Sequence, residues 1–450
     1  MVSSKSTSLA DITDRFLQNL CAQVQSGDRL VVALSGGVDS VVLLHLLAQF
    51  AKSMQLKVAA VHVEHGISVH SGQWSAFCQK ICDSLGISLT IHHLKIRKQP
   101  QQSLEAVARE ARYQIYKNIR ADYVVLAQHQ DDQAETLLLQ LLRGAGVKGL
   151  GAMPTIRLLD LSKNTILFRP LLNISRSEIL YFAEQNGLSW VTDESNQDVS
   201  YDRNFLRHRI FPMLEERYPA YRKTLSRSAR HLGEVAHLVD ELARIDAENA
   251  TIAGKLSLQK MRSLEHARAK NLLRYLFGQH KARLPNSRKL EEILRQLNSI
   301  EADNRFYFVV DNLAIRCYQG SVEFMSAESS PASLEPVIWQ GEPRLVIKPL
   351  KGVIEFVQQH GRGIDLSKLN QRIITIRART GGERFQPDCK RPRRSLKKIL
   401  QETKLAPWMR NTLPLLFCDD QLVWVAGIGV DCNFQIAKGN IGLDVSWHPD

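Results

Sequence analysis

No apolar run in this 450-residue chain approaches the ~20 residues that a membrane-spanning helix needs. No membrane partner is therefore expected. The start, Met1 to Thr13, is polar and Ser-rich, without the apolar core of a secretory signal, so a cytoplasmic location is expected. Cysteine is scarce: Cys21, Cys78, Cys82, Cys317, Cys389, Cys418 and Cys432 make an odd number, widely spread, with no Cys-x-x-Cys pair. That pattern predicts reduced thiols rather than a disulfide framework. It also argues against iron–sulfur or sulfur-transfer chemistry. The Gly-Lys-Ser/Thr ending of a Walker loop is missing, and there are no internal repeats. What remains is a globular composition, 44% hydrophobic and 23% charged, too long for one core. Its net charge of +13 points to a polyanionic partner, nucleic acid first.

The most informative stretch is Arg29-Leu-Val-Val-Ala-Leu-Ser35-Gly36-Gly37-Val38-Asp39-Ser40, followed directly by an apolar helix. A short apolar run of this kind reads as a buried parallel strand, and the small residues after it as a tight turn. Gly36 and Gly37 let backbone N–H groups converge at the positive end of a helix, which is an anion site. Ser35 and Ser40 add hydroxyls. Asp39 fits such a site as a carboxylate approaching phosphates through Mg²⁺.

Helices and strands then alternate. Helical spacing covers Leu9–Gln25, Ser71–Gly86, Ser103–Ala121 and Asp131–Arg143; strands are predicted over Lys57–Gly66, Ile87–Leu94 and Tyr123–Gln128. This alternation predicts an α/β doubly wound parallel sheet, with ligands beyond the carboxyl ends of its strands. Ser175 and Glu178 read as a capping box opening a helix that stops at Asn186-Gly187. Beyond about Arg217 the alternation ends. Tyr218–Ala250, Ser257–Gln279 and Ser287–Leu297 read as helices, and Arg305–Phe324 as a hairpin turning at Asp311-Asn312. The expected division is a catalytic domain over 1–215, a mostly helical domain over 216–325, a linker over 326–343 and a small basic α+β domain over 344–450.

Asp132 and Glu135 lie three residues apart near a helix start, and so share one face. Such a pair can hold Mg²⁺ against phosphates or take a proton from an attacking amine. The alternative leaves Asp131 as a mere N-cap and Glu135 solvated. His62, Glu64 and His65 do not share a strand face, which argues against tetrahedral zinc. Cys78 and Cys82, one helical turn apart, read as core.

The loop Ser35–Ser40 resembles that of the N-type ATP pyrophosphatases, the PP-loop superfamily. Arg143-Gly-Ala-Gly146, Gly149–Met153, Arg169-Pro-Leu-Leu172, Asp193–Asn196 and Arg203-Asn204 narrow the likeness. With Arg379–Phe385, Leu396–Lys398 and Pro407-Trp408, they make the whole chain similar to the bacterial tRNA(Ile)-lysidine synthase family. The resemblance implies ATP as co-substrate with Mg²⁺ near Asp39, L-lysine, and tRNA(Ile) with a CAU anticodon; a homodimer is left open. In that chemistry ATP adenylates C2 of the wobble cytidine and lysine displaces AMP. Ser35, Gly36, Gly37, Val38, Asp39, Ser40, His62, Arg109 and Arg112 would bind ATP, and Asp132 and Glu135 would handle the lysine ammonium. Arg143, Arg203, Arg207, Arg384, Arg391, Arg393, Arg394, Lys397 and Lys398 would meet tRNA, with Phe385 and Trp408 beside the last group. The competing readings are another amide- or thio-forming enzyme with this loop, and a nucleotide-regulated RNA binder without catalysis.

Overall fold

A computed structural model of the chain describes residues 8–66, 70–94, 104–160, 164–252, 254–300, 306–327, 334–403, 405–410, 412–437 and 439–449. It falls into two compact units, Met1–Glu241 and Leu242–Asp450.

In the first unit the strands are β1 Arg29–Ala33, β2 Lys57–Glu64, β3 Ser88–His93, β4 Tyr123–Val125, β5 Ile156–Asp160 and β6 Thr165–Phe168. The helices are α1 Leu9–Cys21, α2 Val38–Ala51, α3 Ser71–Leu85, α4 Leu104–Asn118, α5 Gln130–Leu142, α6 Val147–Leu150 and α7 Arg176–Gln185. Then come α8 Asp202–Phe205, a π-helical turn Leu206–Ile210, α9 Phe211–Arg217 and α10 Tyr221–Ala250, of which the part from Leu242 on is counted with the second unit. The sheet order is β3-β2-β1-β4-β6-β5, parallel except for the edge strand β5, which pairs antiparallel with β6. The doubly wound sheet is therefore present, with one hairpin at its edge that the sequence did not announce.

Alternation along β1 fixes how the sheet is covered. Leu30 and Val32 join a core with Phe16 and Leu20 of α1, Leu43 of α2, Cys78 and Cys82 of α3 and Phe182 of α7. Val31 faces the opposite layer, with Tyr116 of α4, Val124 and Leu167. Helix α2 is buried along nearly its whole apolar length, which suits a helix covered on several sides. From β1 the chain proceeds outward through β2 and β3, then returns to place β4 on the other flank of β1. The order reverses between β1 and β4, so the turns that follow these two strands open one crevice.

The second unit holds α11 Leu258–Arg262, α12 His266–Gln279, α13 Ser287–Ser299 and a five-stranded antiparallel sheet. The helix expected over Ser257–Gln279 is two, because Arg262 turns back to donate to the Leu297 carbonyl at 2.6 Å. The turn at Asp311-Asn312 is present, joining Phe306–Val310 to Leu313–Tyr318. A second turn, with positive φ at Gln319 and Gly320, adds Ser321–Ser326, so the expected hairpin is a three-stranded meander.

The C-terminal core begins earlier than expected. Leu334 is buried in it, Val337–Ile338 pairs with Ile374–Arg377, and Trp339 stacks on Phe356 at 4.5 Å. Of the linker expected over 326–343, residues 328–333 lie outside the described residues, and 334–343 belong to this core. Cys389 and Cys432 form a disulfide, against the expectation that every thiol is reduced. Their spacing of 43 residues carried no signal; the Gln386 carbonyl accepts the Cys432 N–H at 2.7 Å and so brings the two segments together.

Candidate active site at the carboxyl ends of the strands

The turn after β1 is held by its own hydroxyls. Ser40 Oγ donates to the Gly37 carbonyl at 2.9 Å and accepts the Ser35 N–H at 3.2 Å; Ser35 Oγ accepts the Gly37 N–H at 3.3 Å. Gly36 has a φ of 87°, and a Cβ there would stand 2.6 Å from Cγ2 of Val191. The Gly36 carbonyl in turn accepts the Val191 N–H at 2.9 Å. Only glycine meets both demands. His62, a predicted ATP contact, is buried beneath the loop with Nδ1 2.8 Å from the Leu34 carbonyl. Its visible role is to brace the backbone where strand becomes loop.

Asp39 stands in the first turn of α2, and facing it across the crevice is His129, the N-cap of α5. The His129 side chain is 2% exposed; its Nε2 lies 3.7 Å from Asp39 and 3.5 Å from Asp132, and its Nδ1 lies 3.8 Å from Asp131. The Asp132 carboxylate accepts the His129 N–H at 3.1 Å, completing the cap. Asp131 is thus not the cap. Nor is Glu135 solvated: its carboxylate is 1% exposed and meets Arg207, from the π-helical turn, at 2.6 Å. Arg203, one turn earlier, reaches the Thr136 hydroxyl at 3.5 Å.

Burial pushes the Asp39 carboxyl above its ordinary range, with His129, Arg176 and Arg207 opposing that shift and Asp132 adding to it. Burial likewise raises Glu135, helped by Asp132 and resisted by Arg207. Oδ1 of Asp39, Nδ1 of His129 and Oε2 of Glu135 are buried without a hydrogen-bond partner. Orphaned atoms of this kind at one crevice are a reason to expect a polar ligand there. Among the described residues no group of three or more His, Cys, Asp or Glu could hold a metal by protein ligands alone. Asp39 instead suits a hydrated Mg²⁺ shared with phosphate oxygens, which one or two carboxylates suffice to hold.

The structure separates the two predicted arginine clamps. Arg112 lies beside His65, and both keep a buried nitrogen unpaired. Burial first, then Arg112 and His62, pushes the His65 imidazole down to about 4. Arg109 instead donates to the Tyr113 hydroxyl at 3.2 Å and lies over its ring. Arg143 is exposed and pairs with Asp202 at 2.8 Å. Cys78 and Cys82 are core residues, their thiols pushed up by burial to about 12 and about 11, which leaves them inert. Sequence reasoning gave His129 and Arg176 no role and did not single out Val191. A histidine just before a helix start was the one visible hint.

In the second unit the basic surface is partly self-paired. Arg393 binds the buried Asp431 at 2.6 Å, Arg394 binds Glu402 at 2.6 Å, and Arg391 lies 3.5 Å from Asp388. Arg384, Lys390, Lys397 and Lys398 are exposed. The two aromatics expected beside them are not stacking platforms. Phe385 is wholly buried, and the indole N–H of Trp408 donates to Glu323 at 3.2 Å while Arg316 covers its ring.

Comparison with known proteins agrees with this layout. Residues 9–214 match the PP-loop domain, 256–322 the TilS substrate binding domain and 374–447 the TilS substrate C-terminal domain. A tRNA(Ile)-lysidine synthase from Nitrosomonas europaea is 70% identical over 100% of this chain and 98% of its own length. One from Azoarcus sp. is 37% identical over 95% of this chain and 93% of its own. One from Coxiella burnetii is 34% identical over 97% of each. The chain belongs to the tRNA(Ile)-lysidine synthase family, PP-loop ligases that use ATP to form lysidine from lysine on tRNA(Ile).

Proposed function

We propose the following division of labour within that reaction, in which L-lysine is joined to C2 of the wobble cytidine of a CAU anticodon through an adenylated cytidine. The product pairs with A, so the tRNA reads AUA. The loop Ser35–Ser40 cradles the pyrophosphate that leaves ATP, its N–H groups and hydroxyls already set by the mutual hydrogen bonds of Ser35, Gly37 and Ser40. Mg²⁺ held at Asp39 would neutralise charge at the phosphates. His129 keeps Asp39 and Asp132 oriented toward one another in the crevice. Arg112, beside His65, contacts the anionic part of the nucleotide.

Asp132 and Glu135 receive the lysine ammonium and take up the proton it must lose before attack. Burial has already raised Glu135, which moves a carboxylate toward the basicity such a transfer needs. Arg203 and Arg207 meet the anticodon-loop phosphates at the crevice. The middle region and the basic surface around Lys397 and Lys398 hold the rest of the tRNA. A cytoplasmic location follows from the substrate, and among the described residues no helix is long and apolar enough to cross a membrane.

The observation that carries this reading is the meeting of Asp39, in the phosphate loop, with His129, and of His129 and Arg207 with Asp132 and Glu135. The test is incorporation of radiolabelled lysine into a CAU-anticodon tRNA(Ile) transcript with ATP and Mg²⁺. ATP-dependent incorporation, lost in Asp39→Ala and reduced on the order of 10²-fold in Glu135→Gln, is expected. Pyrophosphate release without lysine incorporation in Glu135→Gln would separate adenylation from attack. Full activity in both variants would overturn the site.

A further inference from the structure

Arg222, near the start of α10, stands outside the reacting cluster, yet it binds a carboxylate on α5, which carries Asp132 and Glu135, and one on α9, which continues the turn that carries Arg207. Its Nε lies 2.7 Å from Oδ1 of Asp131, in the first turn of α5. Its Nη1 and Nη2 lie 2.5 and 3.1 Å from the two carboxylate oxygens of Glu215, in α9. The other oxygen of Asp131 accepts the backbone N–H of Arg176, the first residue of α7, at 2.9 Å. Next to this node the rings of Phe211 and Tyr221 meet at 5.0 Å, and with Ala134 of α5 and Leu206 of the π turn they form a small buried cluster. The Arg222 guanidinium lies over the Tyr221 ring at 4.6 Å.

Each tethered element delivers charge to the crevice. From α5 come Asp132 and Glu135; from the stretch α8–α9 comes Arg207; from α7 comes Arg176, which acts on Asp39 across space. None of these elements is fixed to another by a shared sheet. Arg207 with Glu135, Arg203 with Thr136 and Asp131 with the Arg176 N–H already join neighbouring pairs of them; Arg222 adds one planar fork whose three nitrogens reach carboxylates on α5 and α9 at once. A lysine ammonium lacks that geometry and cannot satisfy both partners in the same way.

We propose that Arg222 is a positioning residue for lysidine formation. Through Asp131 and Glu215 it sets the register of α5 against the Arg207 segment and the start of α7, and so the placement of Asp132, Glu135 and Arg207. The inference rests on the assignment of those groups to the reacting cluster given above. A shift of about 1 Å in such groups is enough to cost on the order of 10²-fold in rate.

The test is steady-state lysine incorporation by the full chain carrying Arg222→Gln, Arg222→Lys, Asp131→Asn or Glu135→Gln, with a thermal melt of each. The expected result is a kcat about 10- to 100-fold lower for Arg222→Gln, with KM for tRNA within about threefold of the parent. Arg222→Lys should recover part of the loss. Arg222→Gln combined with Glu135→Gln should be little worse than Glu135→Gln alone, because both act through one group. If Arg222→Gln does not fold, Asp131→Asn decides: with its one amide oxygen kept for the Arg176 N–H, it turns an NH2 donor toward the Arg222 Nε–H, and so loses both the charge and the acceptor that held Arg222. An unchanged kcat in either folded variant overturns the proposal, as does a loss confined to KM for tRNA. Should Glu135→Gln itself be fully active, the assignment of the reacting cluster fails, and the two failures are told apart by that one control.

Discussion

Arg207 sets its Nη2 2.6 Å from Oε1 of Glu135 and 3.7 Å from Oδ1 of Asp132, so one guanidinium holds the acidic face of α5. The Glu135 side chain is 1% exposed, and burying it unpaired would be costly. The pair therefore does two things: it permits a carboxylate at the base of the crevice, and it opposes the upward push of burial on that carboxylate. Glu135→Gln keeps the volume and one hydrogen bond to Arg207 but removes the charge. We expect a loss of about 1–3 kcal/mol in urea-melt stability and a fall on the order of 10²-fold in kcat/KM for lysine.

Asp39 illustrates the opposite balance. Its carboxylate is partly buried beside Asp132, and Oδ1 has no hydrogen-bond partner. Without a cation or nucleotide this charge is a burden on the fold. Asp39→Asn removes the burden and should raise the melting temperature of the ligand-free protein by roughly 2–4 °C, equivalent to about 1 kcal/mol in a unit of this size. The same substitution should abolish lysine incorporation. A variant both less stable and inactive would show that Asp39 is held by the fold and not strained for a ligand.

His65 gives a pH dependence with a definite sign. Its imidazole sits at about 4 in the folded chain, against 6.5 for the free side chain, because burial, Arg112 and His62 disfavour the cation. The unfolded chain binds the extra proton, so this contribution to stability is complete above about 6.5 and is lost as pH falls toward about 4. His65→Gln should flatten the difference in denaturant stability between pH 4.5 and 7.0 relative to the parent. An unchanged difference would mean that His65 is solvated.

The legible part of the site is the part that is local in sequence. Ser35–Ser40 could be read because strand, turn and helix follow one another without interruption. Asp132 and Glu135 could be paired because three residues is nearly one helical turn. Ser175 and Glu178 formed the capping box that their spacing announced. The illegible part is carried by contacts between distant segments. Arg207 and Glu135 are 72 residues apart, and the π-helical turn that carries Arg207 has no signature in its residue types. Val191, which closes over Gly36, follows a Trp just past the helix stop at Asn186-Gly187 and belongs to no motif. The hairpin β5–β6 was missed because Ile156–Asp160 mixes exposed Ile, Arg and Leu without clear alternation. Phe385 and Trp408 were placed beside the basic group without regard to burial, because burial cannot be read from residue type, and the core claims aromatics as readily as a binding face does.

Gly36 is a position where two separate penalties can be measured. Gly36→Ala places a Cβ 2.6 Å from Val191 in a backbone of φ 87°. A cost of about 1–3 kcal/mol is expected from backbone strain alone, with the clash added. Val191→Ala in the same chain should return only the clash. ATP affinity by equilibrium dialysis should stay weakened in the double variant, because the strained turn still misaims the loop N–H groups. Complete rescue by Val191→Ala would show that contact, and not φ, is what glycine provides.

The basic surface of the second unit divides into residues that fold the domain and residues free to meet phosphate. Arg393 belongs to the first kind: Asp431 is wholly buried, and it also accepts the Gln386 and Asn433 N–H groups at 2.9 and 3.1 Å. Removing Arg393 leaves that carboxylate without its cation, so Arg393→Ala should destabilise by about 3–5 kcal/mol. Lys397 and Lys398 are exposed on the helix Leu396–Glu402, where a charge change costs the fold little. Changing both to Gln should weaken tRNA binding and leave KM for ATP and lysine unchanged. Each lost phosphate contact should reduce the slope of log K against log salt by about 0.7–0.9, so the pair should lower it by about 1.4–1.8. A filter-binding series from 50 to 200 mM salt reads this directly. An unchanged slope would place the tRNA elsewhere, whereas a weaker affinity with the parental slope would mean that the substitutions had disturbed the helix instead of its charges.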